Sequence, residues 1–301
     1  MLKSFEEIKA RLGGYEQKKR IGVVCAQNEH TLDAVMLAAR ENLVEPVLIG
    51  KKGEIERLLS NMGDKPGDIE IIDLDEPEAC AAEAARLVRE GRLDCIIKGN
   101  IETGVMMKVL VSREQGIRES KTLSHISFFE SPYYHKMFAM TDGALLVYPT
   151  VEQKRDAIEN AVRAFHKLGI EEPKVAVLAA VEHVNPKMKE TVEAAELKKM
   201  WEEGAFSRCI VEGPISYDLA MQKDAAEIKK YDSPVAGDAD ILVVPDIATG
   251  NILLKALSGT GGAKFAGTII GAQVPVIVTS RSMPMRDKYL SIVLTAVIGK
   301  M

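Results

Sequence analysis

The sequence predicts an α/β protein built as two doubly wound α/β/α domains. Short apolar runs alternate with helix-period segments along most of the 301 residues, a rhythm that calls for a mostly parallel sheet covered on both faces. The length is at the edge of what one core can serve, since single cores stop growing near ~250 to 300 residues. The alternation breaks once, between Leu123 and Thr150, where short apolar runs follow one another with no room for helices between them. That change of plan places a domain boundary just before it, near residue 121.

A helix is expected over about 4 to 12, then a buried strand from Ile21 to Ala26 and a helix from about Thr31 to Asn42. The plan repeats. Val47-Leu48-Ile49 leads into a helix through Leu58 and Leu59, and Ile69 to Leu74 leads into an alanine-rich helix over 77 to 90. Cys95-Ile96-Ile97 leads through Lys98-Gly99-Asn100 into a helix around Met106 to Val111. Past the boundary, Ile126 to Phe129, Met137 to Met140 and Ala144 to Val147 read as short strands, and neighbours this close in sequence pair antiparallel. Alternation resumes with a helix from Val151 to Leu168, a strand from Val175 to Ala180, and a long helix from about Pro186 to Glu203. The Lys and Glu residues of that last helix recur at helical spacing, as on a solvated face supported by i,i+4 pairs. A strand around Ile210-Val211 and a helix over 216 to 230 follow.

Composition excludes several function classes. A formal net charge of −5 with no basic stripe and no interleaved aromatics argues against a nucleic-acid partner. An acidic protein that binds phosphates must then concentrate its cations locally. Cys25, Cys80, Cys95 and Cys209 form no CxxC pair, and two of them sit in apolar runs, as expected of reduced thiols in a cytosol. The N-terminus is charged and lacks the apolar centre of a signal peptide, and no uninterrupted apolar run approaches the ~18 residues of a membrane span. A cytoplasmic protein with no membrane partner is expected, assembled as a homo-oligomer, a dimer or higher. None of the five histidines falls at the i,i+3 or i,i+4 spacing of a helical metal pair, so no metal site is expected.

The stretch from Ala239 to Arg281 carries the chemistry. Ile241 to Val244 closes at Pro245-Asp246, and Ala248-Thr249-Gly250-Asn251 leads into an apolar-periodic segment from Ile252, which reads strand, tight turn, helix. A glycine turn and a helix N-terminus at the carboxyl end of a strand are where open α/β sheets bind ligands, and free N–H groups there favour an anion. Val276 to Val278 repeats the plan, ending in Thr279-Ser280-Arg281 before a helix with apolar Leu290, Val293, Leu294, Val297 and Ile298. An arginine fork with a hydroxyl suits phosphate better than a lone lysine. A plainer reading stands beside each residue: Thr249 and Ser280 as helix caps, Arg281 as a solvated surface residue, and Asp287 as an acid favouring the macrodipole of the last helix.

KGNIETG at 98 to 104, LSHISFFESPYYHKMFAMTDGALLVYPT at 123 to 150, EGPISYDLAM at 212 to 221, VPDIATGNILLKAL, and TSR followed by Asp287 occur in this order. In these motifs, which span most of its length, the chain resembles the phosphate acetyltransferase and phosphate butyryltransferase family, and more its butyryl branch. The resemblance implies an interdomain cleft and an architecture like that of isocitrate and isopropylmalate dehydrogenases. The last two strands and helix then return to the first domain, which comprises 1–121 and 265–301, with 122–264 inserted. It also implies reversible transfer of a short-chain acyl group from CoA to inorganic phosphate, with acyl-CoA and phosphate as substrates and no further cofactor. In that picture Arg281 orients phosphate, Ser280 donates to the oxyanion or the sulfur, and Asp287 exchanges a proton with the CoA thiol. Lys98, Thr103, Lys108, Asp246, Thr249, Gly250 and Asn251 are the expected substrate-binding residues. For Lys98 and Lys108 a solvent-facing lysine is the competing reading, and His125 and His135 read as packed histidines.

Three alternatives remain open on the sequence. Phosphate acetyltransferase activity would show as a preference for acetyl-CoA. A metal-dependent dehydrogenase of the isocitrate-like fold would need divalent ions and nicotinamide, and neither a carboxylate array nor such a site is visible. A non-catalytic binder of CoA or phosphorylated metabolites would respond to CoA without turnover.

Overall fold

Buried apolar strands and the helices that cover them account for the alternating pattern in the computed structural model, which describes residues 1–279 and 283–299. The chain divides into two units, one made of Phe5–Lys121 with Ala266–Met301 and the other of Met1–Ser4 with Thr122–Phe265.

The first unit opens with α1 (Phe5–Gly13), β1 (Lys19–Val24), α2 (Glu29–Arg40), β2 (Val44–Gly50), α3 (Lys52–Asn61) and β3 (Glu70–Asp73). It continues through α4 (Pro77–Arg89), β4 (Cys95–Lys98) and α5 (Thr103–Leu110). β1 pairs in parallel with β2 on one side and β4 on the other, setting Val24 opposite both Ile49 and Lys98. Ile21, Val23 and Val24 are fully buried, as a strand covered on both faces requires. α2 starts where the Asn28 side chain accepts the Thr31 N–H at 2.9 Å, a side-chain cap. It buries Leu32, Val35 and Ala38.

The second unit contains β5 (Ser124–Glu130), β6 (Phe138–Thr141), α6 (Val151–Lys167), β7 (Lys174–Leu178), α7 (Lys189–Glu202), β8 (Ile210–Ile215), α8 (Tyr217–Met221), α9 (Lys223–Lys229), β9 (Ile241–Val243) and α10 (Ile247–Lys255). Its strands run in the order β5-β6-β9-β7-β8. β5 and β6 are antiparallel, with Ser127 opposite Met140, and the remaining pairs are parallel. Thr150 and Gln153 form a reciprocal capping box at the start of α6. Phe128 stacks on Phe165 of α6 at 5.3 Å between centroids, fixing that helix to the sheet.

The chain then passes through β10 (Lys264–Ile270), β11 (Val276–Ile277) and α11 (Met285–Ile298). In the first unit the order is β3-β2-β1-β4-β11-β10, with β11 parallel to β4 and antiparallel to β10. α11 is buried nearly all round, which explains why its apolar residues fill both its faces.

Two expected elements are corrected. Ala144 to Val147 is not a strand, because the Asp142 carboxylate accepts the N–H groups of Ala144 (2.8 Å) and Leu145 (2.7 Å) and turns the chain. The expected helix over 216 to 230 is two helices meeting at an extended Gln222. The carbonyls of Leu219 and Ala220 accept N–H groups from Gly237 and Ala239, so they are not given to residues 223 and 224 as a continuous helix would need. Among the described residues no helix is long and apolar enough to cross a membrane.

Candidate functional site

In the second unit the site begins where β9 ends. Asp246 caps α10, its carboxylate accepting the Thr249 N–H at 2.8 Å, so Thr249, Gly250 and Asn251 lie inside the first turns of the helix. The expected glycine turn ahead of a helix from Ile252 is thereby corrected: an aspartate cap starts the helix at Ile247. Thr249 is not the cap. The Ile247 N–H goes to Val147 O and the Gly250 N–H to Asp246 O. The donor set expected to be free for an anion is therefore largely occupied, and the exposed Thr249 hydroxyl is the polar group this turn presents.

Gly250 is required by close approach. A Cβ there would lie 2.7 Å from Gly143 Cα and 2.9 Å from the Asp142 carbonyl. Asn251 Nδ2 donates to Gly143 O at 3.3 Å, so α10 rests on the turn after β6. That turn is held by Asp142, which also accepts the His125 N–H at 2.6 Å and is buried. His125 is itself buried, and burial holds its pKa below the ordinary value against the pull of Asp142. It is a packed histidine whose Nδ1 meets Ser127 Oγ at 3.3 Å. Asp142 and Gly143 were not singled out from the sequence; the Asp-Gly pair just after an apolar run is the signal that marks them.

Beside this helix start is a cavity of about 560 Å³, lined by Leu178, Ala180, Tyr217, Pro245, Thr249 and Leu253 among others. It sits at the carboxyl ends of β7 and β9, the edge that α/β sheets use for ligands.

In the first unit, Lys98 ends β4 and its ammonium donates to Gly99 O at 3.4 Å. Thr103 is the first residue of α5 and is exposed. The Lys98–Thr103 loop is anchored by Gly99 N–H on Val24 O (2.8 Å) and Asn100 N–H on Cys25 O (2.7 Å). Lys108 lies in the last turn of α5, exposed, and lines a cavity of about 390 Å³ with Glu78, Gly104, Ser112 and Gln115. Asp287 is in the first turn of α11, buried, and accepts Arg286 Nε at 3.0 Å. Ser280 and Arg281 lie outside the described residues. The structure thus gathers Asp246, Thr249, Gly250 and Asn251 on one helix start, and Lys98 with Thr103 on one loop. Among the described residues, no cluster of three or more His, Cys, Asp or Glu side chains could hold a metal ion.

The profile of the family described as "Phosphate acetyl/butaryl transferase" matches residues 79–296. The chain belongs to this family. It is 43% identical over 281 residues to a phosphate acetyltransferase of Thermotoga maritima, covering 93% of this chain and 95% of that protein. It is 37% identical over 299 residues to a phosphate butyryltransferase of Clostridium acetobutylicum, covering 99% of each. Among solved structures, a branched-chain phosphotransacylase from Enterococcus faecalis V583 superposes with a TM-score of 0.84 at 33% identity, over 94% of this chain and all of that one. Membership in the family makes the chain an acyltransferase.

Proposed function

We propose that the protein is a phosphate acyltransferase that reversibly moves a short-chain acyl group, butyryl or similar, from CoA to inorganic phosphate, giving acyl phosphate and CoA. The observation that carries this reading is identity of 37 to 43% to two named acyltransferases over nearly the whole chain. In our reading the fold is a pair of doubly wound α/β/α domains of the isocitrate and isopropylmalate dehydrogenase type, divided as 1–121 with 265–301 and 122–264. The protein acts in the cytoplasm as a homo-oligomer, with CoA as substrate and no further cofactor.

The chemistry is a direct displacement. A phosphate oxygen attacks the thioester carbonyl carbon, the carbonyl oxygen takes up negative charge, the C–S bond breaks, and the thiolate accepts a proton. Arg281 orients the phosphate through its planar fork. Ser280 donates to the oxyanion or the departing sulfur, and Asp287 exchanges the proton with the CoA thiol. No acyl-enzyme is needed. Lys98, Thr103, Lys108, Asp246, Thr249, Gly250 and Asn251 contribute substrate contacts, with the Thr249 hydroxyl as an exposed polar group.

The test is thioester cleavage from butyryl-CoA with and without phosphate, in EDTA. Cleavage that requires phosphate and persists in EDTA is expected. Equal cleavage with water as the acceptor would make the protein a thioesterase. Dependence on divalent ions with nicotinamide reduction would return it to the dehydrogenases that share the fold type.

A further inference from the structure

Three lysines are buried among the described residues, and two of them have carboxylates to answer their charge. Lys136 meets Asp238 at 2.9 Å and Asp240 at 2.7 Å, and Lys154 meets Glu193 at 2.6 Å. Lys288 is the exception. It is 3% exposed, and no described residue gives its ammonium a hydrogen bond or an ion pair. Burial holds its pKa below the ordinary lysine value, and no neighbouring charge opposes that shift.

Its place in the fold adds to the cost of that charge. Lys288 is the fourth residue of α11, where a cation has the wrong sign for the helix macrodipole. Asp287, the acid next to it in the chain, already accepts Arg286 Nε at 3.0 Å. At helical spacing Lys288 shares a stripe with Ser291, Ile292 and Thr295, each fully buried. Ser291 Oγ accepts the Gly267 N–H of β10 at 3.0 Å, so this stripe faces the sheet and not the solvent. The fully enclosed side-chain atoms that lack a partner among the described residues are Gln27 Oε1, Thr141 Oγ1 and Thr295 Oγ1. The Lys288 ammonium is not one of them, so its stem is covered while its tip still reaches water.

We propose that Lys288 binds a phosphate group of a substrate, which supplies the counter-charge that the protein itself does not. A buried cation without a partner is among the most costly groups a fold can keep, and an anion at its tip removes that cost. The helix that carries Lys288 follows the carboxyl end of β11, and β11 runs parallel to β4, so it starts from the edge of the sheet at which β4 ends in Lys98. That edge is where open α/β sheets take their ligands. Phosphate suits the position because an ammonium meets its oxygens as a compact point charge, and the positive end of the α11 dipole acts on it in the same sense. The choice of phosphate as the anion rests on the proposed acyl transfer, in which inorganic phosphate and the phosphates of CoA are both present; the need for a counter-ion does not.

The experiment titrates the full-length wild type and Lys288→Met with inorganic phosphate and, separately, with CoA, by calorimetry in chloride at constant ionic strength, and records a melting curve of each protein without ligand. Methionine keeps much of the stem and removes the charge. The variant should melt at or above the wild type, since an unpaired buried charge has gone, yet bind at least one of the two ligands no less than fivefold more weakly. A loss for inorganic phosphate assigns Lys288 to the attacking phosphate, and a loss for CoA assigns it to a CoA phosphate. Lys288→Gln carries the same comparison if Lys288→Met does not fold. A change under fivefold for both ligands, or a wild type that binds neither, overturns the proposal. Failure of both variants to fold overturns it too, because the ammonium would then be holding the fold. If the wild type binds these ligands but shows no phosphate-dependent cleavage of butyryl-CoA, the acyl-transfer reading fails, while the affinities still decide the role of Lys288.

Discussion

At the scale of single residues, the contrast between Gly250 and Asp287 separates fit from chemistry. Gly250 has no reactive group; its role is to let α10 meet the Asp142–Gly143 turn, and a methyl group would meet backbone atoms at 2.7 and 2.9 Å. Overpacking of this kind costs ~1 to 3 kcal/mol. Gly250→Ala should therefore lower the denaturation midpoint and, by displacing the Thr249 turn, also raise KM; a fully stable variant would show that the turn yields. Asp287 is different. It is buried at the head of α11 with Arg286 at 3.0 Å, and an asparagine keeps its shape and its acceptor oxygen. If Asp287 carries the proton, Asp287→Asn loses ~10² to 10⁴ in kcat. If it only favours the helix dipole, the loss is ~0.3 to 1 kcal/mol of stability with kcat within tenfold, so stopped-flow turnover beside thermal melts separates the two roles. The sequence marked Asp287 through its resemblance to an acid downstream of the family's Ser-Arg motif, and it marked Gly250 for the wrong reason, as a turn ahead of the helix. The actual reason is a contact between residues 143 and 250, over a hundred positions apart, which no local pattern contains.

At the scale of elements, strands and helices with clean periodicity were legible, and the failures have a common cause. The β5–β6 pairing follows from two short apolar runs with no room between them, and α6 begins at a capping box written in four consecutive residues. Ala144 to Val147 is as apolar as a strand, but a buried carboxylate two residues earlier claims its N–H groups. The break at Gln222 arises because Gly237 and Ala239 take the carbonyls on which a longer helix depends. In each case a distant or neighbouring polar group outcompetes local propensity. One polar cluster also carries a prediction. Asp238 is partly buried, which alone would raise its pKa, yet Lys174, Lys136 and His135 all hydrogen-bond to it and hold it at about 2, below the ordinary 3.8. A carboxylate with a depressed folded-state pKa binds protons more readily when unfolded. Its stabilisation is complete above about pH 4 and is lost as pH falls towards 2. Urea midpoints measured for the wild type and Asp238→Asn should differ at pH 6 and converge as pH falls from about 4 to about 2. A gap that persists at pH 2 would mean that shape, not charge, holds the cluster.

At the scale of the whole molecule, function was legible because motifs spread from Lys98 to Asp287 keep one order, whereas composition alone excluded partners without naming a substrate. Chain length is harder to read, because it depends on the side chains that close a pocket and not on the motifs that bind the shared thioester and phosphate. Relatives of the chain stand on both sides of that question, a phosphate acetyltransferase at 43% identity and a phosphate butyryltransferase at 37%. The segment from 123 to 150 decides our expectation, since its sequence resembles the butyryl branch. Butyryl-CoA should therefore have a higher kcat/KM than acetyl-CoA. The margin has a physical bound: each methylene in an apolar pocket is worth only ~1 to 3 kcal/mol of discrimination, or roughly 10- to 200-fold, and a pocket open to solvent would give less. Acetyl-, propionyl-, butyryl- and isobutyryl-CoA assayed at fixed phosphate should thus show rates rising stepwise with each added carbon along the straight chain. A step confined to propionyl would place a pocket wall beyond the third carbon. A reversed order, with acetyl-CoA the best substrate, would show that residues 123–150 resemble the butyryl branch for reasons of packing and that the protein works on the acetyl side of the family.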